Sequence, residues 1–391
     1  MNFIASEKIL WKSPDPQGLY CYSPFLAEGF DNRLILSFDI SGPGLSAVSG
    51  PKSDSGDFNG NQCRIFVSDD RGENWRETAR LPMLHARVFK GGDSLWLIGH
   101  SGRLLISQST DNGESWSEPA VLDDEYFWHQ APCSMDFRRG RIYLTMEHAP
   151  LRDKGWAGGD PVLMSADLTA DLTKRASWTF SNCMKFKEDI PHEKNLFCFT
   201  PGVWLESNVV RIYDPDHRFY DPQDRTVLLF SRCAVDVDNG NIAAVLKGTE
   251  ADDGSLKLEL LTMNDFPLLY IPFPGGCMKF HIVYDEVSRL YWLIASRNES
   301  SNFLQNPKRY PGVGMERRQL ELFYSRDLFD WCSAGMVAAG DCLTASRHYA
   351  SLLIDGEDLL VASRSGDENG KNPHDTNLIT LHRIKSFRNL A

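Results

Sequence analysis

The chain has 391 residues, with 41 Lys and Arg against 53 Asp and Glu, a net charge of −12 and a pI near 5.3. That field opposes nucleic acid and anionic membrane surfaces as partners. Nine cysteines, an odd number with no CxxC pair, argue against a disulfide framework and for buried thiols in a reducing compartment.

The opening MNFIASEKILWKSPDP lacks an apolar signal core, and no later run approaches a membrane span, so the chain as it stands reads as cytoplasmic; export would need a leader outside these residues. Helical periodicity is poor throughout, and 30 Gly with 20 Pro suit many turns better than many helices. Tyr22, Ser23 and Pro24 lie near the start of the first strand-like stretch. Asp39, Asp54 and Asp57 follow, the last two in a Gly/Ser/Asp-rich loop.

An eight-residue word then occurs twice, SDDRGENW from Ser68 to Trp75 and STDNGESW from Ser109 to Trp116. Both fit Ser-x-Asp-x-Gly-x-x-Trp, a hairpin-turn chemistry. The Asp accepts backbone N–H bonds, Gly takes positive φ, and the Trp ring pins the loop to the sheet. Weaker copies start at Ser165 (SADLTADLTKRASW) and Ser325 (SRDLFDW). The wide gap between those two implies two more degenerate copies, expected around YDPDHRFYDPQDR from Tyr213 and YDEVSRLYW from Tyr284. Repeats of this size built of short strands predict an all-β, six-bladed β-propeller, with residues 1–391 as a single domain.

Chemistry-bearing residues punctuate the same pass along the chain. FWHQAP presents His129, and RIYLTMEH ends on Glu147 and His148. ESNVV runs from Glu206 to Val210, LLFSR ends on Arg232, and GGCMKFHIVYD puts Lys279 and His281 on one strand face. Arg317 precedes QLELFYSRD, YASLLIDG opens on Tyr349, and Arg364 leads to a polar loop, GKNPHDTN, holding His374 and Asp375. Loops that enter blades carry function in propellers, which makes His129 and His374 candidates for the pocket wall. No two histidines have i, i+2 or i, i+4 spacing and no nucleotide or phosphate fingerprint appears, so neither a metal nor a cofactor is expected.

With these boxes and a propeller, the chain resembles the sialidase superfamily, whose Asp boxes (BNR repeats) stand on the rim opposite the active site. The resemblance runs from about Tyr22 to Arg364. The family's third carboxylate-binding arginine precedes a box as Arg-x-x-Leu-x-Leu-x-x-Ser-x-Asp, matched by Arg317, Leu320, Leu322, Ser325 and Asp327. Its nucleophilic tyrosine opens a Tyr-x-x-Leu strand before an Asp-Gly turn, matched by Tyr349, Leu352, Asp355 and Gly356. Its activating glutamate begins Glu-Ser-x-Val-Val, matched at Glu206, and the outgoing strand ends at Arg232, where the second arginine belongs. The acid/base aspartate lies in the loop before the first box, where Asp57 stands, with Asp54 and Asp39 in competition. The chain departs from the family at the opening Arg-Ile-Pro, which reads Tyr22-Ser23-Pro24. The carboxylate that would orient the lost arginine falls on Ser363 or Arg364.

What the resemblance implies is a retaining exo-glycosidase. Tyr349, deprotonated by Glu206, would attack the anomeric carbon, and Asp57 would protonate the leaving oxygen and then activate water. Arg232 and Arg317 would hold a substrate carboxylate, with Arg364 restoring a cation from another direction. The expected partner is an acidic oligosaccharide or glycoside, sialic acid-like or uronic; the oligomeric state is not legible. Two alternatives stay open. One is a uronate lyase using Lys279, His129 and Tyr349; the other is a propeller that binds acidic glycans without consuming them.

Overall fold

Successive residues of a strand face opposite sides of its sheet, and here both sides are apolar. Leu228 and Phe230 pack with Tyr291 and Leu293 of one neighbouring sheet, whereas Leu229 between them packs with Tyr143 and Leu163 of the other. Trp292 and Ile294 in turn face Leu359 and Val361. Each such side chain contributes about 1.5–3 kcal/mol by leaving water. A sheet buried on both faces needs a neighbour on each side, and a ring of sheets supplies one to every member.

The computed structural model describes residues 3–53, 60–150, 159–185, 188–189, 203–234, 240–299 and 316–391. Among them there is no α-helix, only strands and short 3-10 turns, so no helix is long and apolar enough to cross a membrane. The strands form a propeller-like arrangement of antiparallel meanders. One sheet holds Tyr20–Glu28, Leu34–Ser41, Gln62–Ser68 and Arg76–Leu81. A second is built on Val203–Val210, Thr226–Ala234, Ile242–Glu250 and Leu256–Leu260. A third comprises His281–Asp285, Leu290–Ser296, Gln319–Ser325 and Cys332–Ala339. In the fourth, Arg347–Asp355, Asp358–Ser365 and Leu378–Ile384 are completed by Ser6–Lys12, so the two ends of the chain meet in one sheet.

These four stand as separate blades, which corrects the expectation of six. The described strands between Leu84 and Phe180 form one eight-stranded sheet instead. The reason is the ten-residue strand Ala120–His129: its start pairs with Gly102–Ser109 and its end, Tyr126 to His129, pairs with Glu147 to Pro150. Hydrogen bonding is therefore continuous where a blade boundary was expected.

The repeated words behave as turn chemistry predicts. Ser68 Oγ donates to Asp70 Oδ1 (2.9 Å) and accepts the Gly72 N–H (2.8 Å), and Asp70 Oδ1 also accepts the Asn74 N–H. Ser109, Asp111, Gly113 and Ser115 repeat the pattern. Gly72 and Gly113 have φ of 95° and 88°. SRDLFDW keeps the same contacts with one residue fewer, placing Leu328 at φ 71° in the glycine's role. All of these turns leave the third strand of a meander. The two proposed degenerate copies do not: residues 211–225 and the turn 286–289 each join a first strand to a second, so they are ordinary hairpin connections.

The first strands of the sheets pack on one another, Tyr20–Glu28 against both Arg347–Asp355 and Leu84–Gly91, and His281–Asp285 against both Arg347–Asp355 and Val203–Val210. The candidate site is built on these central strands.

Candidate active site

Four central strands carry a bulge, each holding a non-glycine residue in the left-handed region: Ser23 (φ 39°), His85 (56°), Glu206 (58°) and Tyr349 (51°). Such backbone costs about 1–3 kcal/mol per residue and gathers where side chains must be re-aimed for function. In each case the register slips at that position, turning the side chain off the regular in-and-out alternation.

Tyr349 is the hub. Its hydroxyl accepts a hydrogen bond from Arg232 Nη1, which also lies 3.2 Å from Glu206 Oε2. Arg232 is itself fixed by donating from Nε to the Cys277 carbonyl at 2.7 Å. The guanidiniums of Arg317 and Arg364 stand 5.4 and 5.2 Å from the Tyr349 ring centre. Arg317 Nη1 is 3.2 Å from His348 Nδ1. Burial raises the Tyr349 pKa, with Arg232 acting against it. Burial also disfavours charge on the arginines, lowering Arg317 to about 10 and shifting Arg364 down. At Arg232 the same penalty is outweighed by Tyr349 and Glu206, so its pKa moves up. Three cations thus surround one neutral phenol, and one carboxylate touches one of them.

Arg364 reaches this group because its strand pairs with that of Tyr349, His348 opposite Arg364. It stacks 4.1 Å over the Tyr22 ring and donates through Nη2 to the His374 carbonyl. Tyr22 donates to Asp375 Oδ1 (3.0 Å), which is 2.8 Å from His374 Nδ1. Burial and then Arg364 lower the His374 pKa to about 4. At Asp375 burial is outweighed by the bonds from His374 and Asn372, and the carboxyl is pushed down.

Glu147 extends the network to the other side. Its Oε1 accepts the Glu206 N–H, and its Oε2 lies 3.4 Å from His129 Nδ1. Burial raises the Glu147 pKa, with His129 opposing. His129, His85 and His100 cluster with ring centres 5.1 to 5.2 Å apart in every pair. Burial first, then the neighbouring His129, hold His85 and His100 well below the usual imidazole range. The His85 N–H donates to Asp39 Oδ2 at 2.9 Å, and burial raises the Asp39 carboxyl well above its ordinary pKa. Lys279, lowered to about 8 by burial, donates from Nζ to the Ala350 carbonyl at 2.6 Å.

Three solved structures frame this geometry. A Trypanosoma rangeli sialidase in complex with sialic acid matches with a TM-score of 0.59 at 14% identity, covering 99% of this chain and 60% of its own. A protein of unknown function from Dyadobacter fermentans gives 0.56 at 12%, covering 97% and 99%. An α-L-arabinofuranosidase from Fusarium graminearum, solved with an iminosugar inhibitor, gives 0.52 at 12%, covering 97% of both chains. The fold is a sialidase-like β-propeller. The chain spans about three-fifths of the trypanosomal sialidase. No family model and no curated protein matches the sequence.

On this sialidase-like frame, Tyr349, Glu206, Arg232, Arg317, Arg364, Tyr22 and His374 fall into one connected group. His129 joins it through Glu147, and Lys279 sits beneath Tyr349 at the next residue's carbonyl. Asp57 and Asp54 lie outside the described residues, leaving Asp39 as the described carboxyl of the three candidates. His281 faces the core, accepting the Leu352 N–H at 3.1 Å, and His148 packs on Tyr126 and Trp128 away from the group. Sequence reasoning missed His85, His100 and His348. His85, His100 and His129 come together although no two histidines have metal-like spacing in the sequence, since spacing rules read one strand at a time and this cluster draws on three. A histidine closing the apolar strand SLWLIGH was the one available signal for His100.

Proposed function

We propose that the protein is a glycoside hydrolase that removes a terminal carboxylated sugar with retention, using Tyr349 as nucleophile. The observation that carries this reading is the set of three buried guanidiniums and one glutamate around a buried tyrosine. Arg232, Arg317 and Arg364 together supply the forked donors a carboxylate takes. The cation expected to be lost at Tyr22 is replaced by Arg364, stacked on that very ring. Two of the similar folds are those of a sialidase and an α-L-arabinofuranosidase, which supports a carbohydrate substrate.

In the first step Tyr349 Oη bonds to the anomeric carbon and its proton passes to Glu206. The leaving oxygen takes a proton from Asp57 or, among the described residues, from Asp39, whose raised pKa keeps a proton available. Water, deprotonated by the same acid/base residue, then displaces Tyr349, which recovers its proton from Glu206.

One observation favours β-elimination on a uronate as a second reading: the Tyr349 hydroxyl meets Arg232, a cation suited to neutralise a uronate and to stabilise the phenolate that would take up the C5 proton. Purified protein is screened on sialyl, uronyl and other acidic glycosides, with released sugar and new ultraviolet absorbance read together. Hydrolysis predicts sugar without absorbance and a glycosyl adduct on the Tyr349 peptide from a fluorinated substrate analogue. Absorbance from a new conjugated double bond points to the lyase, and binding without turnover to a lectin-like propeller.

A further inference from the structure

We propose that His85, His100 and His129 form a site for one divalent transition-metal ion of the zinc class, with a coordination position left open for water or another oxygen ligand. The three side chains come from three strands of one sheet: His85 from the bulge of Leu84–Gly91, His100 from the end of Ser94–His100, and His129 from the end of Ala120–His129. One ring nitrogen from each lies within 4.8 Å of the others. The ring centres form a nearly equilateral triangle, 5.2, 5.1 and 5.2 Å on its sides. Three imidazoles this close offer three nitrogen ligands to a single ion.

The closest pair is His85 Nδ1 and His100 Nε2, 3.2 Å apart. Zinc–nitrogen bonds of about 2.0–2.1 Å at a tetrahedral angle set two ligating nitrogens about 3.3–3.4 Å apart. The pair stands within about 0.2 Å of that separation. Imidazole is a ligand that suits zinc, copper, iron and nickel, and three protein ligands leave the fourth position of a four-coordinate ion to solvent or substrate.

The surroundings are those of a supported site. Glu147 Oε2 lies 3.4 Å from His129 Nδ1, so a proton held there orients the ring and frees Nε2 as the ligand, the usual carboxylate–histidine support of a metal centre. Asp39 Oδ2 accepts the backbone N–H of His85 at 2.9 Å and pins the bulge. Arg364 and Lys279 are the cationic side chains that act on His85 from outside the cluster. His129 keeps about a fifth of its side chain exposed, which gives an ion a way in. Through Glu147 the site is one hydrogen bond from the Glu206 backbone, yet it stands whether or not the protein is a glycosidase.

The test uses the tag-free full chain, stripped with chelator and dialysed. Calorimetric titration with Zn2+ is expected to give one equivalent per chain, and Co2+ to give visible d–d absorbance of a low-coordinate site. His129→Gln and His100→Gln should abolish the cobalt spectrum, and Glu147→Gln should weaken Zn2+ binding by about 10–100-fold. His217→Gln, whose imidazole contacts the Asp327 carbonyl far from the cluster, should bind as the wild type does. Absence of stoichiometric binding overturns the proposal, as does binding that survives unchanged in His129→Gln, chosen because that partly exposed ring tolerates replacement. Turnover of the acidic glycosides by the wild-type chain, read with and without Zn2+, reports separately on the hydrolase.

Discussion

Replacing Arg364 by methionine separates recognition from folding at this site. Its guanidinium lies 4.1 Å over Tyr22 and 5.2 Å from the Tyr349 ring. If it clasps a substrate carboxylate, the variant loses a charge-assisted hydrogen bond of about 1.5–3 kcal/mol. At 1.36 kcal/mol per decade that lowers kcat/KM on an acidic glycoside by about 10- to 150-fold. The neutral methyl ester of the same glycoside, which offers no charge to the missing cation, should change by no more than about threefold. Stability should move little or upward. Arg364 is one of three buried like charges, its Nε has no partner, and burial already disfavours its charged form. Methionine relieves that repulsion while filling most of the space. A chain of this length shifts Tm by on the order of 1 °C per kcal/mol, so scanning calorimetry should show a change of only a few degrees. Equal losses on ester and acid, together with a Tm lowered by more than about 5 °C, would refute the reasoning and make Arg364 a structural residue that braces Tyr22 and the His374 loop.

Tyr349→Phe should fold normally and lower turnover of the acidic glycoside by on the order of 10³-fold, about 4 kcal/mol; unchanged turnover would remove Tyr349 from the chemistry. Gly72→Ala should destabilise by about 1–3 kcal/mol, because the residue sits at φ 95° and a Cβ would come 3.3 Å from Leu381 Cδ2. Gly140→Ala, at φ 71° with nothing within 4 Å, isolates the backbone share of that loss in urea melts. His382 is buried against Ser363 and Thr380, and burial lowers its pKa to about 4. The unfolded chain takes this proton near pH 6.5 and the folded chain only near 4, so stability falls as pH drops between those values, by ~3 kcal/mol from this group. Urea midpoints at pH 7.5 and 4.5 should therefore differ less in His382→Gln than in the wild type, and equal differences would exclude the assignment.

The turn words around Ser68 and Ser109 were legible because their geometry is local: serine, aspartate and glycine within five residues make every hydrogen bond of the turn. All-β character followed from the same source, since the apolar runs between turns are short and never reach helical period. The count of separate blades was not legible, because it depends on how far Ala120–His129 extends and which neighbour each of its ends meets. Glu206, Arg232, Arg317 and Tyr349 could be named from strings that resemble a family's strands, and Arg364 was named only as a possible replacement. That Arg364 stacks on Tyr22 was decided by the pairing of His348 with Arg364 and by the approach of the strand Tyr20–Glu28 from the other end of the chain. The His85, His100 and His129 cluster is the extreme case, each member on its own strand and one turned inward by a bulge. Local sequence determined the turns, the strand period and the residue types on the central strands, because those depend on neighbours a few positions away. Which of those residues share a pocket was decided by the tertiary structure, because contact between distant strands depends on register, bulges and closure of the sheets around the centre.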